Sequence, residues 1–274
     1  MTSTGVAVGV GVGLSDLAFV YPLSVLACRR EAGMGLRQAV AVKNFWSGGT
    51  TQLTLVPYSI LVEAGTKYFR ETTDCHPLVA ALALSCVVGV SLQPIEKKLV
   101  VDQLLQNTVS QQSKSRSTSP LRPFVEIWRY GQEHGVRQMY RGLLPLVSRE
   151  FVYISALSVI NPAVVRFVKD QVKDQGERRT MLYEGMGAIA VGFAAGMVSA
   201  PLQTVNAMMK DERNNHKSLQ RLLRENVFEH GTQSGIRRLF FGAATRSARC
   251  GGAGLLYFGW RTLLEPLEAD DTPN

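Results

Sequence analysis

Charge is scarce in this chain. Only 19% of its 274 residues are Asp, Glu, Lys or Arg, against about a quarter in a typical soluble domain, while 46% are apolar. Such a composition excludes a disordered chain and points away from an ordinary soluble enzyme, towards a membrane protein. Cysteine is scarce too: Cys28, Cys75, Cys86 and Cys250 form no C-x-x-C pair and have no metal-ligand spacing, which excludes a disulfide scaffold and a zinc site. The four histidines, His76, His134, His216 and His230, lie in loops or at the ends of apolar stretches. None is spaced for a metal pair or a nucleophile–base arrangement, so no catalytic residue and no metal is expected. A basic segment before the first apolar run is also missing, so residues 1–28 read as a mature span rather than a signal peptide.

What is present is a series of six apolar stretches, roughly 4–28, 48–68, 76–104, 143–168, 182–209 and 243–264, each near the length of about 20 residues that a bilayer core requires. The net charge of +8 is unevenly placed. Basic residues crowd the segments after the first, third and fifth stretches (Arg29, Arg30, Arg37; Arg116, Arg129, Arg141; Lys210, Lys217, Arg237), whereas the other connections hold Glu71, Asp74, Asp170 and Asp174. The positive-inside rule puts the long basic loops on one side of a membrane and both termini on the other. Nucleic-acid binding is not expected, because the charge is divided among loops and has no stacking aromatics on a sheet beside it.

The chain also repeats itself. Each odd stretch has a late proline: Pro22-Leu23-Ser24, Pro94-Ile95-Glu96 and Pro201-Leu202-Gln203. Each even stretch follows an aromatic and a glycine. Gly135-Val136-Arg137-Gln138-Met139-Tyr140-Arg141-Gly142 matches Gly235-Ile236-Arg237-Arg238-Leu239-Phe240-Phe241-Gly242, and Arg149 and Arg249 each stand seven residues beyond the last glycine. The first copy retains only Phe45-Trp46-Ser47-Gly48. Glycines recur at helical spacing (Gly5, Gly9, Gly13; Gly192, Gly196), where the missing side chain lets membrane helices approach closely.

With these features the sequence resembles the mitochondrial carrier family over nearly its whole length. The resemblance implies one all-α membrane domain: six transmembrane helices in a pseudo-threefold barrel with short matrix-side helices. The repeats would cover about 1–72, 73–175 and 176–268, followed by a tail at 269–274. It further implies the mitochondrial inner membrane, termini in the intermembrane space, no cofactor, and bound cardiolipin near Tyr140, Arg141 and Gly142. Exposed N–H groups at a helix start beside arginine suit a phosphate independently of the family.

In the family, an acid two residues after each odd-helix proline and a base five residues after it close a ring of ion pairs. The matching positions here are Ser24 and Ala27, Glu96 and Leu99, and Gln203 and Asn206. Lys97 and Lys98 adjoin Glu96 but are rotated away by about 100° per residue. The outer acid positions fall on Lys67, Pro162 and Arg261, two of them positive where mutual repulsion is expected, and Pro162 is expected to kink or break its helix. The first copy is also short, with only Pro22 to Gly48 where the second has Pro94 to Gly142.

Two functions are in view. The first is a transport-degenerate structural or accessory subunit of a mitochondrial membrane assembly such as a respiratory-chain complex. The second is an atypical carrier of a small anionic metabolite, with Thr54, Arg149, Arg249 and Arg246 as the contacts and polar rather than ionic gates. For Arg149 the alternative to solute binding is a carboxylate partner such as Glu63 or Glu150.

Overall fold

The computed structural model describes residues 3–20, 22, 26, 56–72, 76–108, 122–172, 176–211, 214, 216–229 and 232–269. Among the described residues every regular element is helical and none is a strand. Helix α1 (Ser3–Ser15) runs into a π-helical turn (Asp16–Val20), α2 is Val56–Thr72, and α3 is Pro77–Thr108. Then come α4 (Arg122–His134), the single turn α5 (Val136–Met139) and α6 (Leu143–Ser155), which passes through a second π-helical turn (Ala156–Ile160) into α7 (Asn161–Val172). The described chain ends with α8 (Glu177–Lys210), α9 (Leu219–Leu223) and its π-helical continuation Arg224–Phe228, α10 (Thr232–Leu239) and α11 (Ala243–Ala269).

Three stretches are long and apolar enough to cross a membrane: Pro77–Lys97, Val136–Val172 and Arg179–Lys210. They account for the third, fourth and fifth expected spans. The apolar part of the first is shorter, Val6–Val20. α2 and α11 contain internal charges, Glu63 in one and Arg246, Arg249 and Arg261 in the other. Away from the core, α3 exposes Leu78, Val79, Leu82, Val87 and Val90, and α8 exposes Met186, Ile189, Phe193, Met197 and Val198. Stripes of this kind recur every three or four residues on one helical face, and hydrocarbon covers them without loss.

The long helices touch in chain order: α1 packs on α2, α2 on α3, α3 on α6, α6 and α7 on α8, α8 on α11, and α11 back on α1. Glycine sets the closest of these approaches. A Cβ on Gly9 would lie 2.6 Å from the Ile60 Cα, and one on Gly196 would lie 2.5 Å from the Ser247 Cα. The glycine stripes therefore join the two long helices of the first copy and those of the third. Val62, Leu84, Val88, Leu146 and Ile154 fill the space among α2, α3 and α6, while Val8, Val12, Leu157 and Tyr257 fill that among α1, α6 and α11.

Pro94 and Pro201 lie inside unbroken helices that continue to Thr108 and Lys210, carrying the polar residues after each proline onto helical faces. Pro162 does not break its helix either. The chain widens just before it, where the Asn161 N–H donates to the Ala156 carbonyl five residues back, and this wide turn accommodates a ring that cannot donate. Gly142 (φ 89°) and Gly242 (φ 88°) turn the chain into α6 and α11 at matching points of two repeats, a backbone region open to glycine and strained for other residues.

Candidate functional site

The polar residues of the bundle converge on Arg149, buried in α6. Glu96 reaches it from α3, two residues after Pro94, and Gln203 from α8, two residues after Pro201. One Arg149 Nη2 hydrogen bond goes to Glu96 Oε1 at 2.5 Å. Nη1 donates to Glu96 Oε2 at 3.1 Å and to Gln203 Oε1 at 2.5 Å. Nε donates to Glu150 Oε1 at 2.8 Å, and Nη2 donates to the same oxygen. A guanidinium has five N–H donors, and here all five have protein acceptors.

The acids are shared in turn. Glu96 Oε2 accepts from Lys210 Nζ at 2.7 Å, and Glu150 Oε2 accepts from the Tyr58 hydroxyl of α2 at 2.6 Å. Asn206 completes the cluster: turned so that both ends of its amide are satisfied, it donates to the Gly142 carbonyl at 3.2 Å and accepts from Lys210 Nζ at 3.1 Å. Lys97, rotated away from Glu96, is wholly buried and donates to the Lys210 carbonyl at 2.5 Å, with its ammonium 6.0 Å from the centre of the Tyr130 ring. A cation at a helix C-terminus offsets its negative end. Among the gate positions that follow the prolines and whose side chains are described, Glu96 is the one charged residue. Glu96 keeps two bases, but they come from Arg149 and Lys210 rather than from the family's register.

Of the outer positions, Arg261 has a counter-charge. Arg261 does not face an unbalanced positive ring, because Glu63 of α2 binds it through two hydrogen bonds, Nε to Oε1 at 2.9 Å and Nη2 to Oε2 at 2.8 Å. Nearby, Trp260 Nε1 donates to Ser15 Oγ at 3.1 Å, joining α11 to α1. Of the two carboxylates considered for Arg149, Glu150 is a partner and Glu63 is not. Pro162 lines a different pocket, among α2, α3 and the α6–α7 helix.

Between these two polar groups lies a cavity of about 80 Å³ whose lining includes Asp16, Tyr58, Glu96, Arg149, Glu150, Tyr153, Arg246, Arg249 and Tyr257. It is large enough for a few waters and smaller than the roughly 300–1,000 Å³ of ordinary ligand sites. Arg246 Nε donates to Ser199 Oγ at 3.2 Å, and Asp16 is the counter-charge facing Arg249. Three of the four expected solute contacts therefore line one space. Thr54, like Ser24 and Ala27, lies outside the described residues, as do the side chains of Lys67 and Leu99.

Arg141 also holds protein groups together. Its guanidinium donates to the carbonyls of Asn214 (2.5 Å) and Lys217, and its own carbonyl accepts from Gln93 Nε2. The Tyr140-Arg141-Gly142 segment thereby ties α3 to the chain that follows α8. Sequence reasoning missed Lys210 and Tyr58, and it considered Glu63 only as a partner of Arg149, whereas Glu63 binds Arg261. Lys210 stands nine residues beyond Pro201, outside any expected motif, and the ionic partners of the other two lie in distant spans. No family model matches the chain, and no curated protein matches it at a significant level.

Proposed function

We propose that this protein is a divergent carrier-fold membrane protein, six helices in a pseudo-threefold barrel, that no longer cycles and serves as a structural or accessory subunit of a mitochondrial inner-membrane assembly such as a respiratory-chain complex. In this reading both termini face the intermembrane space, cardiolipin is a bound lipid, and the solute pathway has become a fixed core. The observation that carries it is the saturation of Arg149, whose five donors are all used by Glu96, Glu150 and Gln203. Alternating access needs two states of similar free energy. Pulling α3, α6 and α8 apart would leave buried charges unpaired, at about 3–5 kcal/mol, and the uncharged positions Ser24 and Ala27 of the first copy offer no ion pair in exchange. Extraction in mild detergent tests this: co-migration with a large membrane complex is expected, and a free monomer under every mild condition would count against it.

A second reading is an atypical carrier of a small anionic metabolite. It is favoured by the position of Arg246 and Arg249 on the cavity wall with three tyrosines. Counter-exchange in liposomes separates the two, since exchange abolished by Arg249→Gln would defeat the accessory-subunit reading.

A further inference from the structure

A second pocket, of about 340 Å³, lies among α2, α3 and the α6–α7 helix and shares no lining residue with the arginine cavity. Its deeper wall is apolar, with Leu84 and Ile154 buried and Phe69 partly buried beside them. The Ser158 hydroxyl on this wall is already committed, donating to the Ile154 carbonyl at 2.7 Å. The π-helical turn before Pro162 forms part of the lining, and wide turns of this kind often mark functional sites. At the rim stands Arg166, the one cation among the described lining residues, which is exposed and makes no ion pair among the described residues. The rim also includes Pro77, next to the exposed apolar face of Leu78, Val79 and Leu82, so a hydrophobic ligand can arrive along α3.

We propose that this pocket binds a single-chain amphiphile with one anionic head, a long-chain carboxylate, with its hydrocarbon against Leu84 and Ile154 and its carboxylate on Arg166. The apolar interior selects a chain, the Arg166 guanidinium selects an anionic head, and the volume lies near the lower end of the small-molecule range, which favours one chain over the paired chains of a phospholipid. A carboxylate on arginine gains charge-assisted hydrogen bonds that an alcohol of the same length lacks. The proposal does not depend on whether the protein transports.

Titration of the purified full chain with dodecanoate is the test, with dodecanol and a two-chain phosphatidylglycerol as competitors. Saturable binding of one dodecanoate per chain is expected, about tenfold weaker for dodecanol and for Arg166→Gln, and lost in Ala163→Trp, which fills the pocket from an exposed position. Both substitutions are at exposed sites, so folding is expected to survive, and unliganded melting temperatures check it. Equal binding of dodecanol, or wild-type binding by Arg166→Gln, would overturn the site in favour of general partitioning. Displacement of dodecanoate by stoichiometric phosphatidylglycerol would overturn the single-chain assignment.

Discussion

Arg149 and Arg249 occupy the same place in two copies of one repeat, yet the protein uses them differently. In the second copy the next residue is Glu150, α3 supplies Glu96, and the guanidinium is enclosed by acceptors. In the third copy the next residue is Cys250, and Arg249 remains on the cavity wall opposite Asp16. A repeat places a side chain at a position; the neighbouring residues decide whether it becomes part of the core or stays available. The two copies also differ in what crosses between their helices: a network of charges spans α3, α6 and α8 in one, while close backbone contact at Gly192 and Gly196, with the Arg246–Ser199 hydrogen bond, joins α8 and α11 in the other.

Removing each arginine in turn shows whether the two copies are specialised. Arg149→Met leaves Glu96 and Glu150 buried with fewer partners and is expected to cost about 3–5 kcal/mol, read as a shift in the denaturation midpoint of the detergent-solubilised protein. Arg249→Met is expected to cost less than half as much, and equal losses would show that the two copies are not specialised. Next in size, Gly196→Val forces α8 and α11 apart where a Cβ would already lie 2.5 Å from Ser247, and overpacking of this kind costs roughly 1–3 kcal/mol. Tolerance of that substitution would mean that glycine contact does not hold the third copy together. A double-mutant cycle on Glu63 and Arg261 should give a smaller coupling, roughly 0.5–3 kcal/mol, because it breaks one bidentate pair rather than a network shared by three helices.

Much of the helical organisation was legible in the sequence because apolar runs and repeated prolines and glycines are local signals. The spans at 76–104 and 182–209 lie close to α3 and α8, and the glycines at 9, 13, 192 and 196 are sites of close approach. The polar cluster was only half legible. Glu96, Gln203 and Asn206 follow from the proline register, but Lys210 comes into reach only because α8 runs a further nine residues past Pro201 as one helix. The Glu63–Arg261 pair joins residues 198 apart in the chain, and no spacing rule connects them. Arg141 matched a motif, but its Nη2 donates to carbonyls of a segment that has no partner motif of its own.

The smallest expected effect lies outside the membrane-length helices and tests whether the loop-side staple at Arg141 is independent of the cluster at Arg149. Glu225 accepts from Lys217 Nζ at 2.6 Å and Arg221 Nε at 2.8 Å, and the hydrogen bond from Lys217, followed by that from Arg221, holds its carboxyl below the usual range. A carboxyl with a lowered folded pKa contributes its full stabilisation above its unfolded pKa and loses it as pH falls through the folded value. Acid should therefore loosen residues 216–229 first, and with them the Lys217 carbonyl that accepts from Arg141. Hydrogen exchange followed as pH is lowered should show faster exchange there while α3 and α6 stay protected, and Glu225→Gln should remove the pH dependence. If α6 opens together with the loop, the staple and the Arg149 cluster form one cooperative unit, and the second copy is held from its surface as much as from its interior.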